Sequence, residues 1–325
     1  MDKNSIKDTS GKAVKAGVWY MLSTVIVKAI NVITTPIYTR ILSTNDYGIA
    51  SNFFAWYSLL LVICTLDLEI SIGRAKQDFS GKLDRYIGSM QLLSGGFTFF
   101  LLVIGVLFLE PVSTLLEMNG NLLLMLGVYL LFSPAIIYTQ SKFRYQYQYK
   151  GNIAILFYTS ISTVLLSLIL IQLFDDDKFY GKVLGTIIPT ILLGMYLWIK
   201  DIKKRNIVYD GKYWKYGLKL SLPMLIHTLS MNLLSQSDRV VITKICGGTA
   251  NGIYTLAYQY AILINMIMQA ISQAWLPWFH DNLYAQNIES IKKNVKTLTI
   301  FASVVCIGCI ALAPEAIGIL GPESY

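Results

Sequence analysis

The stretch WYMLSTVIVKAINVITTPIYTR, residues 19 to 40, decides the fold class because it is apolar enough to enter a bilayer. One lysine, Lys28, lies near its middle. An isolated ammonium group at mid-membrane costs at least about 2.5–3.5 kcal/mol on insertion scales. A protein partner, a hydrated cavity or an anionic ligand must therefore offset that cost.

The composition places this stretch in a membrane protein. The 325 residues are 54% hydrophobic and 14% charged, whereas a soluble domain carries roughly 25% charged residues. Residues 1–15 are polar and basic, and the apolar run after them is too long for a cleavable signal and lacks its cleavage site. We therefore predict an all-α polytopic membrane protein with a short N-terminal tail.

Apolar runs of about 17–25 residues mark the membrane helices. We predict nine, near residues 16–37, 47–66, 87–109, 121–139, 152–174, 182–199, 216–237, 252–275 and 297–314. The fourth is the least regular, because Pro134 falls near its end.

The basic residues predict the orientation of these helices. Of the 27 lysines and arginines, 21 fall in the N-terminal tail and in alternate loops, five fall in the opposite loops, and Lys28 lies within the membrane. This asymmetry predicts a cytoplasmic N-terminus by the positive-inside rule. The net charge of +8 is then mainly topogenic and attracts anionic membrane lipids, and it indicates no nucleic-acid partner.

An internal repeat relates two parts of the chain. The segment from Tyr20 and the segment from Met224 align at an offset of 204 residues, with six identities in about forty positions, among them Gly48/Gly252. Six helices separate the copies, so both insert in the same direction, as parallel repeats do. The repeat predicts a first six-helix lobe (16–199), a basic cytoplasmic linker (200–215) and an incomplete second lobe (216–325).

A polar stripe follows the first helix and its repeat. Its members share one helical face, with spacings of i, i+4, i+7 and i+11: Thr24, Lys28, Asn31 and Thr35, repeated as Thr228, Asn232, Ser235 and Arg239. Such a stripe should face a cavity or the protein interior. Hydrogen bonding between helices explains the neutral members equally well, and Lys28 has the alternatives of snorkelling or pairing with Asp67.

The candidate substrate-path residues extend this stripe to its neighbours and to the helix ends. They are Lys28, Thr24, Asn31, Arg40, Asn232, Asp238, Arg239, His227 and Gln269. For His227 the alternative is a hydrogen-bonded core histidine, and for the adjacent Asp238 and Arg239 it is a local ion pair. The Cys306-x-x-Cys309 motif lies in an apolar run and indicates helix packing rather than a metal or redox site. We predict no cofactor, no metal and no catalytic residue.

Two stretches resemble a known family. TTPIYTRILSTNDYGIASNFFAWYSLLLVI contains Arg40–Leu42 and Tyr47–Gly48, and residues 216–261 contain Pro223, Ser-Asp-Arg at 237–239 and Gly-Ile-Tyr at 252–254. Both are similar to the Wzx-type polysaccharide flippases, which share a superfamily with the MATE exporters.

The resemblance implies a function. It implies two lobes that open alternately and move a polyprenyl-diphosphate-linked oligosaccharide to the outer leaflet of a bacterial inner membrane, for O-antigen, capsule or exopolysaccharide. It also implies that cavity cations such as Lys28, Arg40 or Arg239 meet the anionic carrier. Implied partners are a polysaccharide polymerase, the chain-length machinery and a coupling ion, either a proton or sodium.

Three other functions compete with this one. A MATE-like drug or cation antiporter requires carboxylates within the membrane, and none is predicted near mid-helix. A membrane-bound polymerase or acyltransferase requires a catalytic constellation, and the two histidines form none. A scaffold without transport activity is the third, because family members have about fourteen helices and this chain ends after nine, which predicts a truncated product.

Overall fold

The computed structural model describes residues 3–79, 81–204, 207–284 and 286–322, without the side chains of 3–18, 21, 263, 264, 266–281, 283 and 284. The described residues form helices and no strand, which confirms the all-α prediction. In chain order the α-helices are α1 Lys3–Ile41, α2 Thr44–Thr65, α3 Ile72–Asp78, α4 Leu83–Leu107, α5 Leu109–Leu116, α6 Gly120–Phe132, α7 Pro134–Tyr145, α8 Tyr149–Leu173, α9 Phe179–Lys203, α10 Gly211–Tyr284, α11 Ile288–Ala311 and α12 Ala313–Leu320. A 3₁₀ turn, Leu68–Ser71, joins α2 to α3.

Seven stretches of the described chain are long and apolar enough to cross a membrane. They correspond to seven of the nine predicted spans and make the protein a multi-pass membrane protein. One of them, Gly120–Tyr145, is divided into α6 and α7. The division lies at Pro134, the first residue of α7, where the missing amide hydrogen is tolerated.

The other two predicted spans lie within α10. Gly247 interrupts this 74-residue helix with φ 86° and ψ 175°, a conformation open to glycine. Residues 211–246 and 248–284 therefore form two helical halves, which contain the predicted spans 216–237 and 252–275. Within the predicted linker 200–215, α9 continues to Lys203 and α10 begins at Gly211.

The helices α2, α6 and α9 enclose an apolar core. Its fully buried members include Phe53 from α2, Leu122 and Leu126 from α6, and Val183 from α9. These contacts fix the start of α9 against α2, and this placement orients the polar side chains on the neighbouring face of α9.

The most extensive helix packing joins α2 to α10, between the two copies of the repeat. A Cβ atom added at Gly48 would lie 2.6 Å from the carbonyl carbon of Gly248, and one added at Gly252 would lie 2.9 Å from that of Thr44. The offset of 204 relates Gly48 to Gly252 and Thr44 to Gly248. The two contacts are therefore equivalent, and the interface is reciprocal. Reciprocal contacts are the geometry of a two-fold axis.

Two buried hydrogen bonds reinforce this interface. The hydroxyl oxygens of Ser51 and Thr255, which are also related by the offset of 204, lie 2.7 Å apart. The amide of Asn251 donates to the carbonyl oxygen of Gly48 at 2.9 Å. In a bilayer such groups have no water to bond, so these pairs hold the copies in register.

Candidate functional site

The polar stripe of α1 faces a cavity between the copies of the repeat. Lys28, Asn31 and Thr35 line it, and Thr24 does not. The hydroxyls of Thr24 and Thr35 donate to the backbone carbonyls of Tyr20 and Asn31, at 2.8 and 2.9 Å. Side chains three or four residues apart lie on one helical face, which explains why Lys28, Asn31 and Thr35 reach the cavity together.

A second cation enters the cavity from α9. This helix begins at Phe179, so Lys182 lies within its first turn rather than in the preceding loop, where the sequence interpretation counts it. The Lys182 ammonium lies 3.1 Å from the centroid of the Tyr38 ring, a cation–π contact. Thr186, one turn later, lines the same cavity.

The third cation, Arg239, comes from α10. Its guanidinium lies 4.6 Å from the centroid of the Tyr258 ring, and its Nη1 donates to Gln236 at 3.0 Å. The buried Nε atom has no hydrogen-bond partner among the described residues. An unpaired buried donor is costly.

The cavity has two adjoining compartments of about 320 and 340 Å³. Both compartments are lined by Asn31, Tyr38, Tyr47, Lys182 and Gln259. The first also contains Arg239 and is lined on one side by the inter-repeat pair Ser51 and Thr255. The second contains Lys28.

The lining combines positive charge with neutral hydrogen-bonding groups. The described lining residues include three cations and no carboxylate. Hydroxyl and amide groups surround the cations, and the rings of Tyr38, Tyr47 and Phe54 add apolar faces. Phosphate oxygens bind cations strongly, whereas hydroxyl, amide and aromatic groups suit a sugar. The arrangement can therefore bind an anion that carries a polar, hydroxylated group.

The other predicted site residues lie away from this lining. Arg40 is exposed, and its guanidinium lies 3.5 Å from the carbonyl oxygen of Ile319. The Asn232 amide donates to the carbonyl of Thr228 at 3.0 Å. Asp238 is exposed and accepts a 2.7 Å hydrogen bond from Tyr254.

The two remaining predicted site residues are His227 and Gln269. His227 is exposed and does not line either compartment. The Gln269 side chain lies outside the described residues. Among the described residues, no three His, Cys, Asp or Glu side chains are grouped so that they could hold a metal ion.

Sequence reasoning misses Lys182 and the two cavity tyrosines as site residues. A signal for Lys182 exists, since Lys182, Thr186 and Thr190 follow one another at spacings of four, the pattern used for α1. Tyr38 and Tyr47 give no such signal, because an aromatic residue near a helix end is equally typical of the membrane interface.

Comparisons with known proteins show which family the chain belongs to. A model of the family described as polysaccharide biosynthesis protein matches residues 13–283. The Lsg locus putative protein 1 of Haemophilus influenzae (strain Rd) is 22% identical over 279 residues, which cover 84% of this chain and 67% of that protein. No solved structure matches the chain. The resemblance found in the sequence is thus confirmed, and the chain belongs to the polysaccharide biosynthesis protein family.

Proposed function

We propose that the protein flips a polyprenyl-diphosphate-linked oligosaccharide across the bacterial inner membrane for surface polysaccharide synthesis. The observation that carries the proposal is the cavity between the copies of the repeat, with Lys28, Lys182 and Arg239 in its lining. Family membership supports a role in making surface polysaccharide.

The chemistry of such a substrate matches the cavity. A diphosphate is a compact anion, and charge-assisted hydrogen bonds from lysine and arginine are roughly twice as strong as neutral ones. Asn31, Gln259 and the surrounding hydroxyls supply donors and acceptors for sugar hydroxyls. The apolar carrier chain stays in the bilayer while its head group crosses, so no covalent bond changes.

A drug or cation antiporter fits this lining less well. A cationic substrate requires carboxylates, and the described lining of both compartments contains none. We also propose a transporter rather than a polymerase or acyltransferase. The reaction of such an enzyme requires a nucleophile and a base in contact. The partners we propose are the polymerase and the chain-length machinery that receive the flipped unit.

Alternating access supplies the mechanism. The reciprocal α2–α10 interface gives two similar halves a shared axis, and parallel repeats of this kind commonly enclose a transport path. The cavity opens first toward the end with the basic loops and then toward the other end. The head group thus crosses without a continuous pore. The distribution of basic residues orients the first opening to the cytoplasm.

A rescue experiment tests the proposal. In a strain without the gene, sugar-bearing polyprenyl diphosphate should accumulate, and the wild-type gene should clear it. Lys182→Gln should fail to clear it, because the variant loses a cavity cation. Lys200→Gln is the matched control, since Lys200 lies on the same helix, 5.9 Å from the centroid of the Tyr196 ring, and outside the cavity. Equal rescue by both variants, or no accumulation without the gene, would contradict the proposal.

A further inference from the structure

The internal repeat continues beyond α2 into the last two helices of the described chain. At the offset of 204, α4 corresponds to residues 287–311, and α11 spans Ile288–Ala311. The short helix α5, Leu109–Leu116, corresponds residue for residue to α12, Ala313–Leu320. The two copies of the repeat therefore have the same local fold here, and their contacts can be compared position by position.

The two short helices differ in what binds their C-terminal ends. The last carbonyl oxygens of a helix have no partner within the helix and need donors from outside it. At the end of α5, the carbonyl of Leu116 accepts a hydrogen bond from the amide of Asn52 at 3.0 Å, and Asn52 lies on α2 in the same copy. The position equivalent to Asn52 in the second copy is Leu256, whose side chain has no donor. The end of α12 must therefore find its donors elsewhere.

The donors for the end of α12 come from α1, a helix of the first copy. The Thr39 hydroxyl donates to the carbonyl of Leu320 at 2.5 Å, and the Arg40 guanidinium lies 3.5 Å from the carbonyl oxygen of Ile319. Thr39 is 1% exposed and Leu320 is 8% exposed. A hydroxyl and a cation at the last carbonyls suit the negative end of the helix dipole. This contact thus joins the second copy of the repeat to the first.

The rest of α12 is held to the second copy and packs little. The Tyr260 hydroxyl on α10 donates to the carbonyl of Cys309 at 2.6 Å, which fixes the end of α11 just before α12 begins. Within α12, which the structure describes from end to end, Leu320 is the one buried residue. Its neighbour Ile319 is 66% exposed. Release of the tip of α12 from α1 therefore exposes little apolar surface.

The contact lies beside the candidate cavity. Tyr38, the residue before Thr39, lines both compartments and holds the Lys182 ammonium over its ring. The C-terminal ends of α1 and α11 both lie opposite the basic loops, and so does this contact.

From this geometry we infer that α12 is a strap that closes the cavity at the end opposite the basic loops, and that its tip leaves α1 when the cavity opens there. The strap moves with the second copy, because Tyr260 anchors its start, and Thr39 and Arg40 hold its tip to the first copy. As a gate for the lipid-linked head group, the inference rests on the proposed function. As a closure of the cavity, it requires no substrate.

Thiol labelling in spheroplasts tests the closure without a substrate. The four native cysteines would be replaced, and Thr186→Cys would be introduced, because Thr186 lines the cavity. A membrane-impermeant maleimide then reports access from the outer face. Thr39→Val removes the donor and keeps the shape of the side chain. Labelling should become about two- to tenfold faster in this variant, the range that corresponds to the loss of one hydrogen bond.

Thr243→Val is the matched control for this substitution. Thr243 is the equivalent of Thr39 in the second copy, but its hydroxyl donates to the carbonyl of Arg239 in the same helix, at 2.8 Å. The control removes no bond between the copies and should leave the labelling rate unchanged. Equal rates for Thr39→Val and the wild type, or an equal increase for both variants, would overturn the inference.

A reversible cross-link tests the closed state. Arg40→Cys and Ile319→Cys would be joined by a short bifunctional methanethiosulfonate reagent, because both positions are exposed. The joined protein should lose flipping and regain it after reduction. Asn119→Cys with Tyr180→Cys is the control pair, because these two side chains lie 2.7 Å apart within the first copy. Joining the control pair should leave flipping unchanged.

The outcomes separate this inference from the proposed function. If the joined Arg40→Cys/Ile319→Cys protein flips as fast as its reduced form, the strap is overturned. Labelling uses no substrate, so faster labelling of Thr39→Val supports the strap even where flipping is absent. Absent flipping in every form of the protein, the wild type included, contradicts the proposed function alone.

Discussion

Substituting Gly48 by alanine should destabilise the contact between the two copies of the repeat. The added Cβ would lie 2.6 Å from the carbonyl carbon of Gly248 and would overlap its oxygen. Ordinary contacts between carbon atoms are about 3.5–4.0 Å, so α2 and α10 must separate by about 1 Å. That movement strains the 2.7 Å Ser51–Thr255 pair and the 2.9 Å bond from Asn251.

The magnitude follows from overpacking. Inserting a methyl group into a packed interior costs about 1–3 kcal/mol, and the obstacle here is backbone that cannot rotate away. Gly105→Ala is the control, because a Cβ at Gly105 on α4 meets nothing within 4 Å. The control should be neutral or stabilised by about 0.5–1 kcal/mol through helix propensity. Gly252→Ala should resemble Gly48→Ala, since the repeat makes the two contacts equivalent.

Thermal unfolding of the purified protein in detergent measures these differences. A destabilisation of 1 kcal/mol lowers Tm by about 2–4 °C in chains of 150–250 residues, so Gly48→Ala should unfold several degrees below Gly105→Ala. If the two variants unfold at the same temperature, or if Gly252→Ala alone is destabilised, the reciprocal interface is refuted.

Four further predictions concern individual side chains. Arg239→Gln should lower flipping by about tenfold or more, because a hydrogen bond to a charged group contributes about 1.5–3 kcal/mol, and lipid analysis of the rescued strain measures it. Tyr38→Phe should keep the contact with Lys182 and near-normal stability, whereas Tyr38→Leu should lose about 0.5–2 kcal/mol of cation–π energy in thermal unfolding. Asn251→Ala should destabilise the protein by about 1–3 kcal/mol, since it leaves the buried Gly48 carbonyl unpaired, and chemical denaturation checks it. Burial raises the pKa of Asp67 in the folded state. Its contribution to stability is therefore present below the ordinary aspartate pKa and declines as the pH rises through the raised value. Asp67→Asn should remove this contribution and flatten the measured dependence of Tm on pH.

The helical architecture was largely predictable from the sequence. Composition and apolar run lengths indicate membrane helices directly, because the bilayer sets both their length and their polarity. Pro134 was recognised as an irregularity, and the structure places the α6–α7 boundary there. The two predicted spans within α10 are less apolar, because each contains several polar residues.

The cavity was predictable only in part. Periodicity identified the α1 stripe, and Lys28, Asn31 and Thr35 do share one compartment. Lys182 was missed because it lies close to a loop, where a lysine is expected on topological grounds alone. Near the end of a span, the sequence does not distinguish a lysine that sets the topology from one that lines a cavity. The packing of α9 makes that distinction.

Contacts between distant residues could not be predicted in detail. The repeat related Ser51 to Thr255, but nothing in the sequence indicates that these two side chains touch. Sequence reasoning offers Asp67 as a candidate partner of Lys28, and the structure shows that its carboxylate accepts a hydrogen bond from Thr228. Such pairings depend on how the halves dock, which local pattern does not encode.

The central claim is that the protein moves a lipid-linked sugar from one leaflet to the other, and leaflet accessibility tests it most directly. Intact spheroplasts would be treated with a membrane-impermeant glycosidase or lectin while synthesis of the protein is switched off. The account predicts that the sugar exposed at the outer face disappears as the total lipid-linked pool increases. Undiminished outer exposure in cells depleted of the protein would contradict it.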